Sequence, residues 1–353
     1  MVFLEGAGSV LSKKLIAYCG SSEAVFKQSK NALEKIPGIG SEKARKITEG
    51  TDLGRAEEEL VLMEKNGIDM HFYLDPSYPR RLKHCDDGPL ILFSKGNVQF
   101  NNEKCLSLVG TRNATSYGTD LCRKVIEEMK EQDPLIISGL AYGIDVAAHK
   151  AAVKNGVGTV AVLAHGLDKL YPALHKGVAL DMVENGGLVS EFPVGTPAMR
   201  DNFPSRNRII AGMSDAIIIV ESAWKGGSMI TAEFGNSYNR DVFALPGRIT
   251  DGYSEGCNRL IKSHKAHIFT GVADLEYIMG WVKEEKKVIQ RKVFIDLSPE
   301  EEKLLGLLRL NSDTIDNISL KSEMPISTTS SILLNLEFNG LVRSLPGKVY
   351  ELV

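Results

Sequence analysis

The 353-residue sequence has little cysteine, little tryptophan and no long apolar run. Its five cysteines, Cys19, Cys85, Cys105, Cys122 and Cys257, are odd in number, scattered, and never arranged as C-x-x-C. That pattern argues against a disulfide framework or a cysteine zinc site and fits reduced thiols in a cytoplasmic protein. The most apolar stretches, 157–164 and 216–220, fall far short of the roughly 18 residues that a membrane span needs, so no membrane association is expected. The opening MVFLEGAGSV lacks a basic start followed by an apolar run, so no secretory signal is expected. Positive charge is not in excess either: 42 Lys and Arg stand against 45 Asp and Glu, a net charge of −3. A strongly basic domain is the usual footprint of a nucleic-acid partner, so the whole-chain figure argues against one. With 43% hydrophobic and 25% charged residues, the composition is that of a globular chain, and the length suggests two or three domains.

Four segments can be read along the chain. Residues 1–72 read as a helical domain with an internal echo. Gly6-Ala7-Gly8 and Gly38-Ile39-Gly40 each precede a helical run with cations in its first turns. The pair resembles a tandem helix-hairpin-helix (SAM-like) module, in which glycines bring a phosphate close to helix amides. The alternative is a packing domain that has kept the shape without the DNA contact. Residues 73–278 begin with a proline-bearing connector, 73–104, and then change pattern. Short apolar runs at 105–109, 135–137, 158–164, 188–190, 216–220, 242–245 and 266–269 are each followed by a turn and a helical stretch. Continuous apolar runs alternating with helices predict a Rossmann-like, doubly wound, mainly parallel α/β sheet. A charged linker spans 279–297. Residues 298–353 read as a winged-helix domain: Ser298-Pro299-Glu300-Glu301 opens the first of three helices, and two short strands flank Pro346-Gly347.

In such sheets ligands bind outside the carboxyl ends of the strands, so the turns there carry the candidate chemistry. The first holds Gly110, Thr111 and Arg112, a flexible turn followed by a hydroxyl and a planar fork of donors suited to phosphate. The second holds Ser138, Gly139, Tyr142, Gly143 and Asp145, with Asp145 placed to cap a helix and His149 reading as a core histidine. The third holds Lys169 and Tyr171. The densest run is Arg200 to Gly212, with Phe203, Arg206, Asn207 and Arg208. If a helix begins near Ile209, Arg206 and Arg208 oppose its dipole unless an anion lies between them. The alternative is that they pair with buried acids such as Glu191 or Glu221. The last turn carries Gly226, Gly227 and Ser228. No nucleophile–base pair stands out. His264 and His267 have a metal-compatible spacing without a third ligand, so neither a metal nor a cofactor is expected.

Together these turns resemble the DprA/Smf family of bacterial natural transformation. The resemblance is carried by Val-Gly-Thr-Arg at 109–112, Ser-Gly-Leu-Ala-x-Gly-Ile-Asp-x-x-Ala-His at 138–149 and Leu-Asp-Lys-Leu-Tyr-Pro at 167–172. It continues with Phe-Pro-Ser-Arg-Asn-Arg-Ile-Ile-Ala-Gly at 203–212, Gly-Ser-x-x-Thr-Ala at 227–232, Leu-Pro-Gly at 245–247 and Gly-Cys-Asn-Arg-Leu-Ile at 256–261. It implies a non-catalytic, dimeric protein that holds single-stranded DNA in its Rossmann-like domain and loads the RecA recombinase onto it. Carried over by motif, Gly110, Thr111 and Arg112 would grip a phosphate, with Ser138 and Gly139 lining the same pocket and Gly227 and Ser228 contributing to it. Lys169, Arg206 and Arg208 would line the strand's path, buttressed by Asn207. Phe203, Tyr142 and Tyr171 are candidate stacking platforms on physical grounds alone. Residues 263–269 depart from the family pattern where a dimer contact is expected.

A competing reading is a nucleotide-processing enzyme of the phosphoribohydrolase type. The run 225–233, Lys-Gly-Gly-Ser-x-x-Thr-Ala-Glu, loosely resembles that signature and would make Glu233 the acid/base. A scaffold that binds only proteins is a third reading. In the tail, five cations stand against eight acids, a deficit equal to that of the whole chain, and the candidate recognition helix at 327–339 has no Lys or Arg. Since phosphate contacts position a helix on duplex DNA, the tail reads as a protein-contact or self-regulatory module. Arg112, Lys169, Arg200, Arg206 and Arg208 meanwhile concentrate positive charge in the turns of a nearly neutral Rossmann-like segment.

Overall fold

The structure, a computed structural model, describes Phe3 and residues 8–49, 53–281 and 297–353. Five helices come first: α1 (Ser9–Cys19), α2 (Ser22–Phe26), α3 (Lys30–Glu34), α4 (Ser41–Glu49) and α5 (Leu53–Asn66). Helices α3 and α4 flank the second Gly-x-Gly turn, where Gly38 has φ +90°. Lys14 Nζ donates to the Pro37 carbonyl in that turn, tying α1 to it. The first Gly-x-Gly lies partly outside the described residues, as does nearly all of the expected 279–297 linker.

Next come β1 (Asp69–Phe72), α6 (Arg80–Lys83), β2 (Ile91–Gly96) and β3 (Cys105–Val109), then α7 (Ser116–Met129), β4 (Leu135–Ser138), α8 (Ile144–Asn155) and β5 (Thr159–Leu163). They are followed by α9 (Lys176–Met182), β6 (Gly186–Ser190), α10 (Asn202–Met213), β7 (Ala216–Ile219) and α11 (Gly227–Ser237). The series closes with β8 (Asp241–Ala244), α12 (Glu255–Lys262), β9 (His267–Ile268) and α13 (Val272–Met279). The nine strands form one sheet in the order β1-β2-β6-β5-β4-β3-β7-β8-β9. The neighbours from β6 to β9 pair in parallel, whereas β1 and β2 join antiparallel at one edge.

Two expectations are corrected here. The segment 73–104 is not a plain connector, because it contains α6 and β2. The sheet also begins at Asp69, inside the segment assigned to the helical front, because β1 pairs with β2 from Asp69↔Ser94 to Phe72↔Ile91.

Strands β3 to β7 are buried along their whole length, which is why their sequences are continuously apolar. Successive side chains still point to opposite faces. Ile217 and Ile219 pack with Ile209 and Ile210 of α10 and Met229 of α11. Ile218 packs on the other face with Ile126 of α7 and Ala148 of α8. Each fully buried isoleucine contributes about 1.5–3 kcal/mol. From β3 the chain steps through β4, β5 and β6, then returns through α10 to β7 on the other side of β3. The β3/β7 boundary is therefore the switch point at which the loops diverge and leave a crevice.

The C-terminal segment contains α14 (Pro299–Leu308), β10 (Asp313–Thr314), α15 (Ile315–Ser322), α16 (Ile326–Phe338), β11 (Val342–Leu345) and β12 (Val349–Leu352). It is a winged helix. Its start is the expected capping box, in which the Ser298 hydroxyl accepts from the Glu301 amide and the Glu301 carboxylate accepts from the Ser298 amide. The wing turn meets the sheet domain: Arg240 Nη1 donates to the Pro346 carbonyl (3.2 Å) and the Gly347 amide donates to the Asn239 carbonyl (3.1 Å).

Candidate functional site

A cleft of about 700 Å³ opens at the switch point. The loop after β3 forms one wall, the loop after β7 and the start of α11 form another, and the first turns of α10 close a third. The two loops are joined by the Thr111 amide, which donates to the Glu221 carbonyl (2.7 Å). Beneath them the buried Glu221 carboxylate accepts from the amide and hydroxyl of Thr115, the residue that caps α7. Thr115 is thus committed to holding the loop. Gly110 has to be glycine for steric reasons, since a β-carbon there would lie 2.5 Å from Ile144 Cγ1. Gly143, with φ +77°, lets the start of α8 pass against the Thr111 carbonyl.

Of the expected site residues, Gly110, Thr111, Arg112, Phe203, Arg206, Asn207, Gly227 and Ser228 line the cleft. Arg112 is exposed, and its guanidinium lies 5.5 Å from the centroid of Phe203. Phe203 makes an edge contact with Tyr171 at 5.9 Å. The Asn207 side chain donates to the Gly227 carbonyl (3.1 Å), bracing the turn into α11 from α10. That turn has no side-chain cap; the Met229 amide turns back to the Gly226 carbonyl (3.1 Å), and the Gly227 and Ser228 amides before it remain able to meet an anion. Ser228 donates its hydroxyl to Ser222 Oγ (2.8 Å).

Arg206 lines the cleft without being free, Arg208 takes the alternative of pairing with a buried acid, and Ser138, Gly139 and Lys169 lie outside the lining. Helix α10 begins at Asn202, about seven residues before Ile209, so Arg206 and Arg208 lie within the helix and no opposed dipole needs an anion. Arg208 is ion-paired with Glu191, both side chains only 14% exposed, so it does not line the cleft. Arg206 sits at the cleft floor but is buried, with Nη1 donating to the carbonyls of Gly139 and Val162. Burial pulls its pKa down to about 10, the Asp145 carboxylate opposing and Arg112 reinforcing that shift, so it stays charged at neutral pH. Burial pushes Asp145 upward, with Arg206 and the Ala141 amide holding it back. Each of the two thus favours the charged form of the other at the cleft floor.

Gly139 lies beneath Arg206, and Ser138 is fully buried with its hydroxyl on the Leu108 carbonyl (2.7 Å). Neither lines the cleft. Lys169 is exposed in the turn after β5, beyond the lining, and Tyr142 stands on His175 instead. Glu233 is exposed on α11 and is not part of the cleft wall. Several lining residues lay outside the expected DNA-binding set, among them the polar Arg200, Ser222 and Thr231. Arg200 had a legible signal in the arginine-rich run, whereas Ser222 had none.

Comparison with known proteins now bears on this arrangement. The model of the DNA recombination-mediator protein A family matches residues 69–279, and the DprA winged-helix model matches residues 295–348. The chain belongs to the DprA/Smf family. It is 30% identical to protein Smf of Synechocystis over 99% of this chain and 96% of that one. With the DNA processing protein DprA of Streptococcus pneumoniae it shares 41% identity over 58% of this chain and 73% of the relative. The X-ray structure of the pneumococcal protein superposes with a TM-score of 0.69, covering 78% of this chain and 95% of that chain at 31% identity. A structure described as showing the single-stranded DNA binding mode of the Helicobacter pylori protein shares the fold. Its TM-score is 0.55 at 24% identity, covering 61% of this chain and 96% of that one. Among the described residues no helix is long and apolar enough to cross a membrane.

Proposed function

We propose that this family member binds single-stranded DNA without sequence preference in the switch-point cleft, acts as a homodimer through its Rossmann-like domain, and hands the strand to the RecA recombinase. The observation that carries the binding reading is the exposed Arg112 stacked beside Phe203 at the mouth of a cleft closed by the uncapped start of α11. An arginine over an aromatic ring beside free helix amides offers a phosphate contact and a base platform within one nucleotide's reach. Arg200 adds a second cation to the cleft lining, and Lys169 is exposed in the turn after β5 beyond it. The DNA binding named for the H. pylori neighbour is consistent with this reading. A binding role needs no catalytic group, and the enzyme reading is weakened because Glu233 stands outside the cleft.

Fluorescence anisotropy with single-stranded and duplex oligonucleotides tests the binding reading: preference for the single strand is expected, and equal affinity for duplex would overturn it. The RecA step is tested by the rate of RecA filament growth on DNA preincubated with this protein, where acceleration is expected. Release of free base from nucleoside monophosphates, abolished by Glu233→Gln, would favour the enzyme instead.

A further inference from the structure

The loop that supplies Ser222, Ala223, Gly226 and Gly227 to the cleft also carries Trp224 and Lys225, both exposed. Trp224 is 36% exposed, and the Arg259 guanidinium of α12 stands 3.5 Å from its ring centroid. That is close cation–π stacking on one face of the indole. The platform is held in place by backbone bonds. The Ser222 amide donates to the Tyr253 carbonyl (2.6 Å) and the Gly256 amide donates to the Ser222 carbonyl (2.8 Å), fixing the β7 loop to the start of α12. Gly256 leaves room for this approach, since a β-carbon there would lie 2.7 Å from the Ser222 carbonyl. The Asn113 amide group donates to the Tyr253 hydroxyl (3.0 Å), linking the same corner to the Arg112 loop. The cleft is thus flanked by two arginine–aromatic pairs, Arg112 with Phe203 and Arg259 with Trp224.

We propose that Trp224, backed by Arg259, is a second base-stacking platform that receives a nucleobase on the α11–α12 side of the cleft, with Lys225 beside it for the adjoining phosphate. The proposal rests on the single-stranded DNA reading above and extends the strand's path past Gly226-Gly227, away from Arg112 and Phe203. Arginine on one indole face leaves the partly exposed remainder for a base, which any of the four bases can use because each presents a π face.

The chain has two tryptophans, and Trp281 packs behind α7 and near Lys104, at the opposite end of β3. The test is a titration of Trp281→Phe protein with unlabelled oligo(dT), reading Trp224 emission, alongside anisotropy of the same protein with labelled oligo(dT). Stacking should quench emission with the midpoint seen in anisotropy. Trp224→Ala should weaken binding about tenfold, within the range of base–aromatic stacking, and Trp224→Phe should restore most of it. Binding by anisotropy with unchanged emission, or Trp224→Ala binding like the parent, would overturn the Trp224 platform and leave the cleft reading standing. Absence of binding by anisotropy would overturn the cleft reading itself, and the platform with it.

Discussion

At Gly139 a β-carbon would lie 2.2 Å from Arg206 Nη1, the atom that bonds the Gly139 and Val162 carbonyls. Gly139→Ala is therefore expected to lower stability by about 1–3 kcal/mol, the range for overpacked interiors, measured as a fall in the urea midpoint. Arg112 is the opposite kind of residue, exposed and dispensable to the fold. Arg112→Ala is expected to leave the thermal midpoint unchanged while weakening single-strand binding by about 1.5–3 kcal/mol, the scale of hydrogen bonds to charged groups. His149 gives a pH signature. Its Nδ1–H donates to Thr159 Oγ1, because that hydroxyl donates onward to the Ile136 carbonyl, and Nε2 is buried without a partner. Burial, with Arg206 and His175 adding positive charge nearby, lowers its pKa from 6.5 to about 3. A depressed histidine contributes stability that is complete above the unfolded value and is lost as pH falls through the window toward the folded value. Chemical denaturation should therefore show stability declining below about pH 6.5, and His149→Gln should flatten that slope.

Helix α10 shows what one element adds and what sequence could show of it. Its arginines were visible, but their partners were not: Arg208 faces Glu191 seventeen residues away, and Arg206 reaches carbonyls at the ends of β4 and β5. Charge density in a sequence marks a site without telling exposed donors from buried braces. The helix begins at Asn202 rather than near Ile209, and Pro204 stands in its first turn, where a helix tolerates proline. The parallel strands were legible because burial on both faces makes them continuously apolar. Strand β1 was not, because it lies at the sheet edge and keeps polar residues such as Asp69 and His71, and β2, although it lies between β1 and β6, ends its apolar run with Ser94 and Lys95. Breaking the Arg208–Glu191 pair leaves a buried charge alone. Glu191→Ala should destabilise the protein by about 3–5 kcal/mol, read as a lowered thermal midpoint, with single-strand affinity of the folded protein little changed.

Across the whole molecule, the net charge of −3 hides a division of labour. The acidic winged helix docks through its wing on Arg240 and Asn239, at the ends of the strands opposite the cleft. Gly347 has φ +87°, and a β-carbon there would lie 2.8 Å from Arg240 Nη1. Gly347→Ala should loosen this contact, seen as faster amide exchange at residues 238–241 while α14–α16 stay protected. On the proposed reading the cations that meet DNA are few and local, so a whole-chain net charge near zero does not reveal them. The central claim is that the cleft neutralises the phosphates of a single strand through those few cations, Arg112 first. Its most direct test is the salt dependence of single-strand affinity for the parent protein and for Arg112→Ala, by anisotropy. Affinity should fall steeply, with a logarithmic slope of about −0.7 for each phosphate neutralised, and the Arg112→Ala slope should be shallower by about one such increment. A flat salt dependence, or identical slopes and affinities for the two proteins, would contradict it.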